Sequence, residues 1–229
     1  MAKRYKWSKM GTRLIYKIRH HKGHGIHSPF VFNLINHVIE EKRPYYCYED
    51  ISSYLSSFGL KRLTPNKRNR LAFRFVNYFK AESILEIGSG SGVNTLFLTA
   101  HSKKIKCICI EKDEQLRDLA RQLYEGCNRQ NIDLLEALPL LPLDRSFDCI
   151  FINLDHYNTI SCEYLDALCK QCYSKSFIIV TGIRRNKEYN KLWKHLSANS
   201  SRTVELDLFN IGIVFFDRQL SRWEYKISF

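Results

Sequence analysis

The sequence contains no apolar run long enough to cross a membrane, since no window approaches the ~18 uninterrupted apolar residues of a spanning helix. The basic N-terminal segment also lacks the continuous apolar stretch of a secretory signal, and we therefore expect a cytoplasmic protein. No internal repeat and no low-complexity linker interrupts the 229 residues. This length allows one domain with a sizeable core and an N-terminal appendage.

Acidic residues are missing from two parts of the chain. No Asp or Glu precedes Glu40, and a second acid-free stretch includes the basic residues from Lys61 to Lys80. Basic residues cluster in these stretches, and the formal net charge is +13. Such clustering attracts nucleic acid, acidic lipid headgroups or an anionic substrate, or it simply forms a solvated basic face. Charge alone does not decide among these alternatives.

A second pair of cysteines at matching spacing is missing too. The chain has eight cysteines, which without a secretory signal we interpret as reduced thiols. Cys169-x-x-Cys172 resembles half of a structural zinc site, but such a site needs four ligands. We therefore expect these two residues to pack on a helix.

Helices are expected through the first third of the chain. Ser28 and Pro29 form a helix start, and apolar residues at helical spacing extend it over 29–41. A second short helix is expected near 48–58, and Thr64-Pro65 begins a third. Residues 1–69 form a predicted basic helical extension that packs on or over the active site, and 70–229 form the main domain.

From residue 83 onward, the pattern alternates between strand and helix. Continuous apolar strands alternating with helices are typical of a parallel sheet covered on both faces. Two further runs, 203–209 and 211–217, predict an antiparallel hairpin at the sheet edge, with its turn around Asn210-Ile211-Gly212. The expected strands are 83–87, 105–110, 131–135, 147–152 and 176–181, and the expected helices lie near 91–101, 113–126, 136–141, 158–172 and 186–197.

Three glycines at alternate positions, Gly88, Gly90 and Gly92, follow the first of these strands. In an open parallel sheet, ligands bind at the carboxyl ends of the strands. Glycine lets the backbone approach a nucleotide closely, because it has no Cβ and tolerates positive φ. The alternative is a tight turn with close helix–strand packing. Three glycines within five residues favour a ligand-binding turn over a turn that serves packing alone.

Acidic residues near this turn indicate which nucleotide binds. The spacing G-x-G-x-G differs from the dinucleotide fingerprint G-x-G-x-x-G, and Glu86 would repel a diphosphate. A carboxylate there suits S-adenosylmethionine, which carries a sulfonium and an ammonium group and no phosphate. Glu111 follows the second strand, 23 residues after Gly88, where an acid accepts hydrogen bonds from ribose hydroxyls. Alternatively, Glu111 complements a helix dipole.

From about residue 70 to 217, the sequence resembles the class I S-adenosylmethionine-dependent methyltransferases. The resemblance rests on the segment from Glu86 to Gly92, on Glu111 and on the fourth strand from Phe147 to Asn153. It implies an α/β fold with a Rossmann-like, seven-stranded, mostly parallel sheet, helices on both faces and the C-terminal antiparallel hairpin. The cofactor site that it implies comprises Glu86, Gly88, Ser89, Gly90 and Gly92 at the methionine part, Glu111 at the ribose, Ile132 and Asp133 beside the adenine, and Asn153.

The segment FINLDHY at 151–157 is similar to the F-I-D-x-D/N-H/K signature of catechol-type O-methyltransferases. HGIHSPFVF and PYY near the N-terminus are similar to an uncharacterised bacterial subgroup of the class I enzymes. The catechol-type enzymes hold a divalent cation with acids after strands four and five. Here those positions are Asn153 and Thr181-Gly182. A hard cation prefers several oxygen ligands with carboxylate charge, so we predict no metal.

Without a metal, the proton of the acceptor must go to a side chain. Asp155 and His156 follow strand four and are the predicted catalytic residues, because histidine accepts protons near neutral pH. A helix cap or an exposed position is the plainer explanation of His156. His24 and His27 are further candidates on a segment that could fold over the pocket, although capping also explains them.

The predicted function is methylation of a small molecule, at oxygen, by S-adenosylmethionine without a metal. One alternative is a methyltransferase acting on RNA or another nucleic acid through the basic segments. Asn153 is followed by Leu-Asp-His without prolines, which argues against base N-methylation. A cofactor-binding protein with little activity is the other alternative. The oligomeric state stays open, with a homodimer among the alternatives.

Overall fold

The computed structural model describes residues 27–59, 63 and 65–229. Among these residues, no helix is both long enough and apolar enough to span a membrane. The helices are α1 (Pro29–Leu34), continued by a π-helical turn (Ile35–Ile39), α2 (Tyr46–Ser57), α3 (Lys67–Phe79), α4 (Val93–Leu98), α5 (Glu114–Gly126), α6 (Cys162–Gln171) and α7 (Lys187–Ala198). The strands are β1 (Ser83–Ile87), β2 (Lys106–Ile110), β3 (Ile132–Leu135), β4 (Cys149–Asn153), β5 (Phe177–Thr181), β6 (Val204–Asp207), β7 (Ile211–Phe215) and β8 (Trp223–Lys226).

The strands form one sheet in the order β3-β2-β1-β4-β5-β7-β6-β8. The first five strands of the chain pair in parallel, and β7 runs antiparallel to β5 and β6. This is the predicted Rossmann-like sheet with its C-terminal hairpin. The sheet has eight strands rather than seven, because β8 adds to β6 in parallel. The sequence of β8, WEYK, is short and mostly exposed, so no apolar run marked it as a strand.

Helices cover both faces of the sheet, which explains why its strands are almost continuously apolar. On one face, α1, the π-helical turn and α3 pack against the sheet, with Phe75 at the centre of the contact. On the other face, α6 and α7 bury Leu168 and Trp193. A third buried cluster joins α2, α4 and α5 around Phe97 and Tyr124.

The register of the strands brings the predicted site residues to one edge of the sheet. Ile87 at the end of β1 is level with Ile110 of β2 and Ile152 of β4, and Asn153 is level with Thr181 of β5. Strands β1 and β4 are neighbours, and the strand order reverses between them. Ligands of open α/β sheets bind at such a switch point.

The described part of the N-terminal region shares its core with the sheet. The third helix begins at Lys67, after an Asn66 cap, rather than at Thr64-Pro65, and Thr64 lies outside the described residues. The predicted domain boundary between 69 and 70 falls inside this helix. Apolar residues of α1 and of β1 belong to the same buried cluster. Residues 27–59 therefore pack on the sheet, and the predicted division of the chain into an extension and a main domain stays a prediction. Residues 1–26 lie outside the described chain.

Two expectations in the second half of the chain also change. The hairpin turn contains Phe209, with φ +69°, and the predicted Asn210, whereas Ile211 and Gly212 already belong to β7. No helix forms over residues 136–141, a segment in which Pro139 offers no backbone N–H.

The Cys169-x-x-Cys172 pair lies at the C-terminal end of α6. Burial raises the pKa of Cys169 to about 12, so its thiol stays protonated. The Cys172 thiol donates to the Leu168 carbonyl at 3.4 Å. Within the described chain, neither thiol belongs to a group of side chains that could share a metal ion. Their positions agree with helix packing.

Candidate functional site

The glycine turn between β1 and α4 is held against the neighbouring strand. The backbone N–H groups of Gly88 and Ser89 both donate to the Ile110 carbonyl, at 2.8 and 3.1 Å. Gly88, Gly90 and Gly92 all have positive φ, +81°, +59° and +83°. Since side chains other than glycine are strained in this region, the alternate glycines are required by the backbone path itself.

The surroundings of the three glycines differ. This difference shows which glycines are explained by close packing and which by the approach of a ligand. A Cβ at Gly88 would lie 2.7 Å from the Asn153 carbonyl oxygen, and one at Gly92 would lie 2.7 Å from the buried Tyr124 ring. A Cβ at Gly90 would instead meet the exposed imidazole of His156, at 3.0 Å. Close packing therefore explains Gly88 and Gly92, and Gly90 is the glycine whose backbone faces a movable side chain.

Ser89 carries an unsatisfied polar group inside this turn. Its side chain is buried, and among the described residues its Oγ has no hydrogen-bond partner. Buried hydroxyls without a partner are costly. The Ser89 Oγ is therefore a polar atom that a bound ligand can satisfy.

Glu86 does not present its carboxylate to a cleft. It is 0% exposed, and its oxygens accept hydrogen bonds from Asn94 Nδ2 at 2.8 Å and Thr95 Oγ1 at 2.6 Å. Burial raises the pKa of this carboxyl, and these hydrogen bonds partly oppose the effect. Glu86 thus holds the first turn of α4 through Asn94 and Thr95. Direct contact of its carboxylate with a sulfonium or ammonium group would require these side chains to rearrange.

The pH dependence of folding tests this position. Because folding raises the pKa of Glu86, the protonated form is favoured, and wild-type stability falls as pH rises from the ordinary carboxyl range through the folded pKa. We expect Glu86→Gln to remove this fall, so that the variant gains stability relative to wild type with rising pH. Urea unfolding at a series of pH values measures the effect. The exposed Glu82→Gln is the control, and parallel profiles for Glu86→Gln and wild type would contradict the prediction.

Glu111 is also turned into the protein. It is 1% exposed, and its carboxylate accepts hydrogen bonds from the backbone N–H groups of Gly90 at 2.8 Å and Asp113 at 3.0 Å. It therefore ties the glycine turn to the start of α5. This geometry agrees with the alternative interpretation of Glu111, in which its carboxylate lies at a helix N-terminus. The contact between Glu111 and a ribose stays a prediction.

The structure places Ile132 and Asp133 away from the site edge. They begin β3 and pair with Cys107 and Ile108, two to three residues before the strand ends at Leu135. Ile132 packs against buried clusters. The carboxyl edge of β3 begins after Leu135, and the contact of Ile132 and Asp133 with an adenine stays a prediction from the resemblance.

Asn153, Asp155 and His156 form the turn that follows β4. Asn153 Oδ1 accepts hydrogen bonds from Thr181 Oγ1 and from the Asp155 backbone N–H, both at 3.2 Å. His156 is exposed and its ring covers Gly90. The turn therefore brings the predicted catalytic histidine onto the glycine turn.

Asp155 has two partners that sequence reasoning missed. Its carboxylate lies 3.5 Å from Arg68 Nη1 of α3 and 3.4 Å from Arg185 Nε of the loop after β5. The three residues are far apart in the sequence, so no local pattern could have joined them. The only sequence feature that pointed to this contact was the cluster of basic residues around Arg68.

His27 does not lie at this edge of the sheet. His24 lies outside the described residues. His27 lines a groove with Trp223 and Tyr225 of β8, and β8 is the outermost strand, several strands away from β1 and β4.

One group of side chains in the described chain has the spacing of metal ligands, namely Glu86, Cys107 and Cys109. The two sulfur atoms lie 3.6 Å apart. The Cys109 hydrogen bond and burial raise the pKa of Cys107 well above its ordinary range. Because a metal needs thiolates, the protonated Cys107 thiol in an apolar core makes this group a poor site.

Comparison with known proteins adds to this geometry. Residues 84–175 match the family model described as a methyltransferase domain, and no curated protein matches the sequence. A putative caffeoyl-CoA O-methyltransferase from Staphylococcus aureus is 15% identical, with 82% of this chain and 97% of that chain covered and a TM-score of 0.59. An SAH-bound methyltransferase from Podospora anserina is 14% identical, with 83% and 97% covered and a TM-score of 0.58.

An O-methyltransferase from Bacillus cereus, in complex with SAH, is 18% identical, with 81% and 97% of the chains covered and a TM-score of 0.55. At these low identities, the solved structures establish similarity of the fold alone. The family model matches the segment that contains the glycine turn. Residues 84–175 therefore match a methyltransferase domain, and the chain has the fold of O-methyltransferases of known structure.

Proposed function

We propose that this protein transfers a methyl group from S-adenosylmethionine to an oxygen atom of a small molecule, without a metal ion. The observation that carries the proposal is the glycine turn at the β1–β4 switch point, where the buried Ser89 hydroxyl has no hydrogen-bond partner in the described part of the chain. The turn lies inside the segment that matches the methyltransferase-domain model. Similar folds from Podospora anserina and Bacillus cereus bind SAH, the demethylated cofactor S-adenosylhomocysteine.

The residues of this turn fit the cofactor. Ser89 offers a hydroxyl, and Gly90 allows close approach once the His156 ring moves aside. Glu111 keeps the turn in place through the Gly90 N–H, and its oxygens have further lone pairs for ribose hydroxyls. We place the adenine beside the residues that follow Leu135. When bound, the cofactor supplies an electrophilic methyl group on sulfur.

His156 is the proposed base. The acceptor oxygen gains the methyl group and loses its proton, and the exposed imidazole beside Gly90 can take that proton. Asp155, the other candidate, already faces two guanidinium groups and is better suited to holding them. Orientation of the acceptor toward the methyl group provides further rate.

Binding of the cofactor tests the proposal. Calorimetry should detect binding of S-adenosylmethionine and SAH and no appreciable binding of NAD. We expect Glu111→Ala to weaken SAH binding roughly 10- to 100-fold, since it removes hydrogen bonds to a charged group. Glu114→Ala, an exposed neighbour at the start of α5, is the matched control. Tighter binding of NAD, or unchanged SAH affinity in Glu111→Ala, would contradict the assignment.

Metal independence has its own test. Asn153 and Thr181 stand where the similar catechol-type enzymes place acids, and their neutral side chains bond to each other. Such a set does not offset the dehydration of a divalent cation. Methyl transfer to an identified acceptor should therefore continue at the same rate in excess EDTA. Activity that disappears in EDTA and returns with Mg²⁺ would refute this part of the proposal.

A further inference from the structure

Two arginines from distant parts of the chain meet at the turn after β4. Arg68 reaches it from the first turn of α3, and Arg185 from the loop that follows β5. Both face the Asp155 carboxylate, whose side chain is 18% exposed, and they are themselves 40% and 61% exposed. The three side chains carry a net charge of +1 at the surface of the site edge.

This arginine pair lies beside the glycine turn. Asp155 precedes His156, whose ring contacts Gly90. The pair is on the β4–β5 side, because a Cβ at Gly182 would lie 3.3 Å from Asp155 Oδ1. Glu111 lies on the opposite side, at the end of β2. A ligand bound at the glycine turn would therefore have the arginine pair on the side away from Glu111.

The ion pairs are too long to be the main reason for two arginines. Their distances of 3.4 and 3.5 Å exceed the ~2.9 Å typical of charge-assisted hydrogen bonds. Exposed ion pairs contribute little to stability. Guanidinium groups recognise oxyanions through planar, paired donors, and a carboxylate between two of them keeps both directed at the same place.

We propose that Arg68 and Arg185 bind an oxyanion of the methyl acceptor, a carboxylate or a phosphate, and that Asp155 positions the two guanidinium groups. The acceptor is therefore an anionic small molecule. This inference rests on the proposed function, because it assigns the substrate class of that site. It also gives Arg68, one of the basic residues of α3, a role that charge alone did not define.

The test uses the full chain loaded with SAH. Titration with 4-hydroxybenzoate and, separately, with inorganic phosphate is followed through the side-chain Nε–Hε NMR signals of the arginines. We expect saturable shifts of Arg68 and Arg185 with at least one anion and none with the neutral 4-hydroxybenzamide. The anion that binds more tightly identifies the carboxylate or the phosphate as the natural group. R68Q and R185Q should each weaken that binding roughly tenfold.

R145Q is the matched control, because Arg145 is exposed and precedes β4 at the opposite edge of the sheet. It changes the net charge equally and should leave anion binding intact. Shifts that rise linearly with either anion, or losses as large in R145Q as in R68Q, would overturn the proposal. SAH affinity is measured on the same samples. Normal SAH binding without anion binding would refute this inference alone, whereas absent SAH binding would refute the proposed function.

Discussion

Gly90→Val is expected to weaken SAH binding on the order of 100-fold, or about 2.8 kcal/mol, while the chain stays folded. The new side chain would occupy the space in front of the turn, which the movable His156 ring fills at present. The positive φ of +59° adds strain of about 1–3 kcal/mol. We therefore also expect a lower unfolding midpoint but a cooperative transition. Calorimetry and urea unfolding measure the two effects.

Gly88→Val is the informative comparison. Its Cβ would meet the Asn153 carbonyl oxygen of the neighbouring turn at 2.7 Å, a backbone atom that cannot rotate away. We expect this variant to be much less stable than Gly90→Val. The double variant Gly90→Val/His156→Ala removes the ring and should still show the weakened SAH binding of Gly90→Val. Recovery of binding in the double variant, or unfolding of Gly90→Val itself, would show that packing and not ligand approach requires Gly90.

His156→Ala is expected to lower turnover on the order of 10²-fold once an acceptor is known, because it removes the proposed base. The measurement is a single-turnover rate at saturating S-adenosylmethionine, with SAH affinity determined separately, since the ring also contacts Gly90. A loss confined to the rate indicates proton transfer. A loss confined to cofactor affinity indicates that the ring only covers the turn.

His37→Ala is the control, because His37 is exposed on the π-helical turn and has no part in the site. Asp155→Asn should lower acceptor affinity more than the rate if Asp155 positions the arginines. An unchanged rate in His156→Ala together with a large rate loss in Asp155→Asn would transfer the role of base to Asp155.

Local patterns were sufficient for most of the fold. Continuous apolar strands between helices predicted the parallel sheet, and the observed β1 coincides with the predicted 83–87. Each of these signals spans only a few neighbouring residues, so a single sequence contains it. The exposed β8 carries no such signal, and its pairing with β6 depends on a strand that is distant in sequence.

The site required more than local patterns. The sequence alone showed the glycine spacing and the neutral residues Asn153 and Thr181. The sequence assigned Glu86 and Glu111 to the ligand by type and spacing, whereas both carboxylates are buried and bonded to protein N–H and hydroxyl groups. Burial and hydrogen-bond direction depend on how α4 and α5 pack, and spacing does not encode that packing.

By itself, the sequence determined the Rossmann-like class, the position of the glycine turn and the neutral residues Asn153 and Thr181 at the ends of β4 and β5, because periodicity, glycine and charge are properties of consecutive residues. Only the tertiary structure decided that Gly90 alone of the three faces a movable side chain, that β3 continues beyond Ile132 to Leu135, and that Arg68 and Arg185 share Asp155. These features arise where segments far apart in the chain meet, and their geometry is set by strand register and helix packing.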